Sequence, residues 1–211
     1  MMKFIVCLLC LYTMSYKAQN KDTLLLMNGQ IVIEQVTDTL IGAVTMFDPS
    51  NNLKKLHYEF EDIYMVKFGS GVNKYYYTQD TLIGNYFNRE EMLYYIYGQR
   101  DARKGFNAYG CLVGAGITGI ASGGLGLFFA PIFPFTYMGL SGITKVRIRH
   151  STISNPNYID HDPYILGYEK VSRSKRRIQA IIGGSIGLAA GYAIYFTVLK
   201  DKLPSAITLR F

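Results

Sequence analysis

No Asp, Glu, Lys or Arg occurs between Lys104 and Lys145, nor between Arg177 and Lys200. Charge-free runs of that kind exceed what a soluble core requires and reach the length of a bilayer-spanning helix, about 20 residues. They predict two apolar spans, one over residues 108–129 and one over residues 178–199. Pro131 and Pro134 interrupt the first run, because proline lacks the N–H donor and clashes with the preceding helical turn. The apolar residues beyond them, through Ile143, are expected to lie at an interface or fold back.

Glycine is placed periodically in both runs. Gly183, Gly187 and Gly191 recur every fourth residue, as do Ala115, Gly119 and Gly123, while Gly110 and Gly114 begin a further row. Residues four apart share a helix face, so each run presents a strip with almost no side chains. Within lipid, apolar burial gives helices little reason to associate, and close backbone approach with dispersion takes its place. Glycine inside a helix costs about 1 kcal/mol relative to alanine, so three in register call for a packing reason. The six residues Ala115, Gly119, Gly123, Gly183, Gly187 and Gly191 are therefore the expected helix-packing residues. They imply a tight two-span hairpin or a homo-oligomer formed through the strips.

The N-terminus has the layout of a secretory signal. Lys3 precedes an apolar stretch over residues 4–14, and Ala18 offers a cleavage position before Gln19. Cys7 and Cys10 lie within this segment, so Cys111 alone remains in the mature chain. A disulfide within that chain and a Cys-based metal site are thereby excluded.

The net charge of +7 is unevenly spread. Residues 19–107 carry nine basic and eleven acidic groups, whereas residues 145–177 carry eight basic groups against Asp160, Asp162 and Glu169. Basicity concentrated between two apolar runs points to membrane topology or anionic lipid before nucleic acid. Arg147, Arg149, Arg173, Lys175, Arg176 and Arg177 are the expected lipid-facing basic residues. Short basic loops stay cytoplasmic, so a two-span reading with an exported N-terminal domain favours the inner membrane, with the outer membrane as the alternative.

Residues 19–80 read as β. Asn28-Gly29 is a hairpin signal between 24–27 and 31–33, and further strands are expected over 40–47, 53–60, 63–68 and 72–77. Asp38-Thr39-Leu40-Ile41-Gly42 recurs as Asp80-Thr81-Leu82-Ile83-Gly84, read as one polar turn that leads into strands. A small barrel or a bent antiparallel sheet would house these strands. Over residues 85–107, Asn88 caps an amphipathic helix with Glu90 and Glu91 in its first turn, and Gly98 ends or bends it. Asp162-Pro163 opens a further short helix. The fold class is thus α+β: residues 1–18 a signal peptide, 19–80 a small β domain, 85–107 a helix and linker, 108–199 a two-span membrane domain with basic loop 145–177, and 200–211 a tail.

The layout resembles exported bacterial envelope proteins that join a small β domain to a glycine-zipper helical hairpin. The residues that carry the likeness are the two small-residue strips, Tyr95-Ile96-Tyr97-Gly98-Gln99-Arg100-Asp101-Ala102 before the first run, and Gly167-Tyr168 with the basic run before the second. It covers about half the chain and implies structural or assembly roles, with no functional residue to carry over.

Catalytic constellations do not stand out. His57, His150 and His161 lack metal spacing, and Asp160-His161-Asp162 are consecutive residues that rarely converge on one ion. Gly69-Ser70-Gly71 lacks the lysine of a phosphate loop. Gly183-Gly184-Ser185-Ile186-Gly187 matches Gly-x-Ser-x-Gly by letter, but it sits in an apolar run without the strand and triad partners that motif requires. Tyr75-Tyr76-Tyr77 beside Lys74 reads as strand packing more than base stacking, and export argues against nucleic acid. The expectation is a non-enzymatic envelope protein without cofactor or metal, a subunit or scaffold of a membrane complex. The alternative is an oligomeric pore or transport-associated component formed by the glycine-rich helices, although these lack a polar lining.

Overall fold

The computed structural model of the protein describes residues 21–40, 42–48, 50–126 and 128–199. The expected signal segment 1–18 and the tail 200–211 lie outside the described residues. The chain divides after Asn85 into two units, so the α+β class holds: a small antiparallel β unit is followed by a helical one.

In the β unit, alternation and turn glycines set the strands. β1 (Asp22–Leu26) and β2 (Ile31–Glu34) form the hairpin that Asn28-Gly29 predicts, with Gly29 at φ +85°. β6 (Ile63–Lys67) pairs with the other edge of β1 and β7 (Asn73–Tyr75) with β6, giving the antiparallel order β2-β1-β6-β7. β1 is thus central, and Leu24 sits opposite Val32 on one side and Val66 on the other. β3 (Val36–Leu40), β4 (Ala43–Asp48) and β5 (Asn51–Glu59) form a second, three-stranded meander. One strand was expected over 40–47. Gly42, at φ +91°, instead turns the chain there and separates β3 from β4, a conformation that costs other residues steric strain.

The strands divide between two sheets, and both line one core. Leu24, Leu26, Ile63 and Val66 come from the first sheet, Val44 and Met46 from the second. Buried Asp22 ties two bends to the start of β1: its carboxylate accepts from the Val36 N–H and the Gly69 N–H, each at 2.8 Å. Of the Tyr75–Tyr77 run, Tyr76 and Tyr77 pack inward while Tyr75 is exposed. Tyr76 lies against Phe60 with ring centroids 4.6 Å apart, and Tyr77 is buried beside Tyr64. The recurring Asp-Thr-Leu element takes a different role each time. Asp22 starts a strand, Asp38 lies within one, and Asp80 opens a turn closed by an Asp80–Asn85 bridge.

The helical unit holds α1 (Arg89–Gly105), α2 (Tyr109–Gly124), α3 (Ile132–Ile143) and α4 (Asp162–Ile194). Asn88 and Glu91 form a reciprocal capping box at the start of α1, with bonds of 2.9 Å and 2.8 Å. Gly98 does not end this helix. It lies buried in mid-helix, where a methyl group would collide with the Tyr164 carbonyl of α4. The short helix expected at Asp162 and the second apolar run are one continuous element, α4. No Gly or Pro separates them between Tyr168 and Arg177, and Glu169 pairs with Arg173 one turn on at 2.7 Å.

Pairwise contacts fix the directions of these helices. Tyr95 meets Gly167, and the Ala102 and Phe106 carbonyls meet Lys175, so α1 runs parallel to the first half of α4. Leu112 meets Gly183, Gly116 meets Gly187 and Ile120 meets Gly191, so α2 runs parallel to the second half. Pro134 meets Gly184 and Gly142 meets Arg177, so α3 returns antiparallel along α4.

The expected two-span hairpin is not shown. Among the described residues one helix, running over Asp162–Val198, is long and apolar enough to cross a membrane. The run expected to span over 108–129 forms a helix of 16 residues, about 24 Å at 1.5 Å per residue, against a hydrocarbon core of about 30 Å. Gly126, at φ +66°, then turns the chain toward α3.

Candidate functional site

The glycines of α2 and α4 face each other along their whole shared length. A methyl at Gly119 would lie 2.6 Å from the Gly184 carbonyl oxygen, one at Gly123 2.8 Å from that of Leu188, and one at Gly191 2.6 Å from that of Ile120. Methyls at Gly183 and Gly187 would collide with the Leu112 and Gly116 carbonyls. Ala115, on the same face of α2, is fully buried. All six expected packing residues thus lie in the α2–α4 contact. Gly114 belongs to another face and receives the Tyr137 hydroxyl of α3, while Gly110 borders open space.

Large apolar side chains point the other way. Val113, Ile117 and Ile120 on α2, Ile132, Phe133, Phe135, Leu140 and Ile143 on α3, and Ile178, Ile182 and Ile186 on α4 are all exposed. Ile143 is 73% exposed, Ile186 64% and Phe128, in the α2–α3 turn, 92%. The polarity of a soluble core is inverted here: the smallest residues are inside and the largest apolar ones outside, over a patch that spans three helices.

Charged residues begin where this apolar region ends. Lys175 donates to the carbonyls of Ala102 at 3.1 Å, Arg103 at 2.6 Å and Phe106 at 3.0 Å, meeting the carbonyls at the end of α1, of which that of Ala102 also accepts the Phe106 N–H. Burial, with Arg103 nearby, pulls its ammonium below the usual lysine range. Arg176 donates to the Thr144 carbonyl and hydroxyl, each at 2.9 Å, and so closes the end of α3. Arg173 is paired with Glu169, and Arg177 packs on Gly142. Arg147 and Arg149 are exposed and form no ion pair among the described residues. With Arg103 and Lys104 these side chains form a basic collar at one level, between the charged halves of α1 and α4 and the apolar helices.

Above the collar lies a polar hub that sequence reasoning missed. Asp101, 4% exposed, accepts from the Ser154 N–H at 2.8 Å, the Ser154 hydroxyl at 2.7 Å and the Tyr164 hydroxyl at 2.9 Å. Burial first, then the bond to Asp101, holds the Tyr164 phenol above its ordinary range. Tyr168, fully buried, shares a 2.7 Å bond with Thr152. The signal available was spacing, since Asp101 and Ala102 follow Gly98 by three and four residues on one helix face.

His161 stacks on Tyr94 with centroids 3.8 Å apart, and His57 bonds Thr45 at 2.9 Å. Among the described residues no group of three His, Cys, Asp or Glu side chains is placed to hold a metal ion. No protein-family model, curated protein or solved structure matches this chain.

Proposed function

We propose that this chain is a non-enzymatic membrane protein of the cell envelope with a structural or assembly role, in which a β unit is held at the membrane by a glycine-packed helical anchor. The observation that carries the reading is the inverted polarity of the helical unit. Exposed isoleucine and phenylalanine surround backbone-to-backbone glycine contacts, an arrangement suited to lipid, where small residues permit approach and large ones meet acyl chains. On this reading residues 178–199 cross the bilayer, and α2 and α3 enter beside them as a shorter paired hairpin in place of a second independent span. The pore alternative needs a polar lining, whereas isoleucine and valine dominate the exposed faces of α2 and the charge-free half of α4, with Ser185 as the exposed polar residue on that half.

The two glycine strips occupy each other within one chain, so contact with a partner or a second copy is assigned to surfaces outside them. The reading predicts that the protein resists extraction by alkaline carbonate and, in mild detergent, recovers a stoichiometric partner through its β unit. Release into the supernatant by carbonate would overturn the membrane assignment, and recovery of the chain alone would overturn the scaffold role.

A further inference from the structure

The collar contains a cleft of about 560 Å³. Its walls are the α1–α2 link at Phe106 and Asn107, the first turn of α2 at Ala108, Gly110 and Cys111, and the returning chain at Thr144, Arg147, Arg149, Ser151 and Thr152, with Arg176 and Tyr168 from α4. Three guanidinium groups share this space, and no acidic residue lines it. Arg147 and Arg149 have no carboxylate partner among the described residues, whereas the neighbouring Lys175 and Arg176 are engaged by carbonyls. Such an assembly repels itself unless an anion enters. Ser151 adds a hydroxyl, while that of Thr152 is held by the Arg149 carbonyl and Tyr168, and the start of α2, where Asn107 accepts from the Tyr109 N–H at 3.0 Å, adds the positive end of its peptide dipoles.

Position identifies the anion's source. The cleft sits at the level where α2 begins, α3 ends and the charge-free half of α4 starts, and the exposed apolar residues begin directly beyond it. A phosphate lodged there would have its acyl chains alongside Val113, Ile143 and Ile178. We propose that this cleft binds the phosphate of an anionic phospholipid, with Arg147 and Arg149 as its principal ligands. Arginine suits the task because its planar fork matches phosphate oxygens in pairs. The proposal rests on the membrane reading above and deepens it, since it names the lipid class that the collar selects.

The test uses the full chain in neutral detergent, with equal amounts of phosphatidylglycerol and phosphatidylcholine added, and retained lipid counted by native mass spectrometry. The wild type is expected to retain phosphatidylglycerol over phosphatidylcholine by about thirtyfold, the scale of two basic side chains at a lipid surface. R147Q/R149Q should lose that preference, while K54Q/K55Q, which removes the same charge from exposed positions of the β unit, should keep it. Equal preference in the wild type and R147Q/R149Q, or no preference in the wild type, would overturn the site. Displacement of the lipid by excess inorganic phosphate would assign the cleft to a soluble phosphate and overturn the lipid source. Carbonate extraction judges the membrane reading separately, since a chain that stays in the membrane without discriminating headgroups refutes the cleft alone.

Discussion

At the scale of single residues the glycines divide by what surrounds them. Gly187 has the Gly116 carbonyl where a methyl would go, whereas Gly139, inside α3, has nothing within 4 Å. Helix propensity favours alanine at both positions, so their responses should have opposite signs. Gly139→Ala should raise stability by about 0.5–1 kcal/mol, the ordinary glycine-to-alanine gain. Gly187→Ala should lower it by about 1–3 kcal/mol, because overpacking forces the helices apart. Thermal midpoints in detergent decide, and a Gly187→Ala variant as stable as wild type would remove the packing argument. Asp101 is a second sensitive position. Asp101→Ala leaves the buried Tyr164 hydroxyl and the two donors of exposed Ser154 without this acceptor and should cost about 1–3 kcal/mol, whereas Asp101→Asn keeps an acceptor oxygen and should cost less. Limited proteolysis of the segment between α3 and α4 reads this directly, since Ser154 anchors that segment. The strips were legible in the sequence because their period is local. Asp101 was not, because its partners lie 53 and 63 residues away, and within Arg-Asp-Ala-Arg-Lys it resembles a solvated surface charge.

Among the elements, α4 organises the helical unit, since α1, α2 and α3 each pack on it and the basic collar crosses its middle. Its 33 residues extend about 50 Å at 1.5 Å per residue. The apolar second half was legible as a charge-free run, and the capping of α1 was legible as Asn88 with Glu91. The joining of both halves was not, because the basic stretch between them reads equally as a loop. What makes it helix is tertiary: Lys175 and Arg176 on successive positions reach the ends of α1 and α3 in turn. Lys175→Met should therefore act on α1 as much as on α4. Loss of three donors to the Ala102, Arg103 and Phe106 carbonyls should cost about 1–3 kcal/mol and speed amide exchange over the last turn of α1. Unchanged protection there would show that water meets those carbonyls equally well. In the β unit the strand pattern was legible through alternation, and the Gly42 turn was missed because apolar residues continue on both sides of it.

For the whole molecule, direction matters more than the number of spans. Two charge-free runs with a basic loop between them suggest an antiparallel hairpin, and on that reading the loop lies opposite the β unit. The contacts Leu112–Gly183, Gly116–Gly187 and Ile120–Gly191 run in step, so α2 and the second half of α4 are parallel. The sequence alone cannot reveal this, since a strip of glycines fits a parallel or an antiparallel partner equally well. A parallel pair requires a return leg, which α3 supplies when it brings Thr144 back to Arg176. On the membrane reading proposed above, α2 and α3 either both cross the bilayer or both turn within it, and the chain re-emerges on the side from which α2 entered. On that reading the basic collar lies on the same side of the bilayer as α1. If the chain is exported up to α1, the collar would then face the non-cytoplasmic leaflet, where basic-loop orientation lends the inner membrane no support. Single cysteines at Glu90 and Ser151, each in a background with Cys7, Cys10 and Cys111 changed to serine, test this geometry. Both should react with an impermeant maleimide from the same side of sealed membranes. Opposite reactivity would restore the antiparallel hairpin and place the parallel α2–α4 pairing in error.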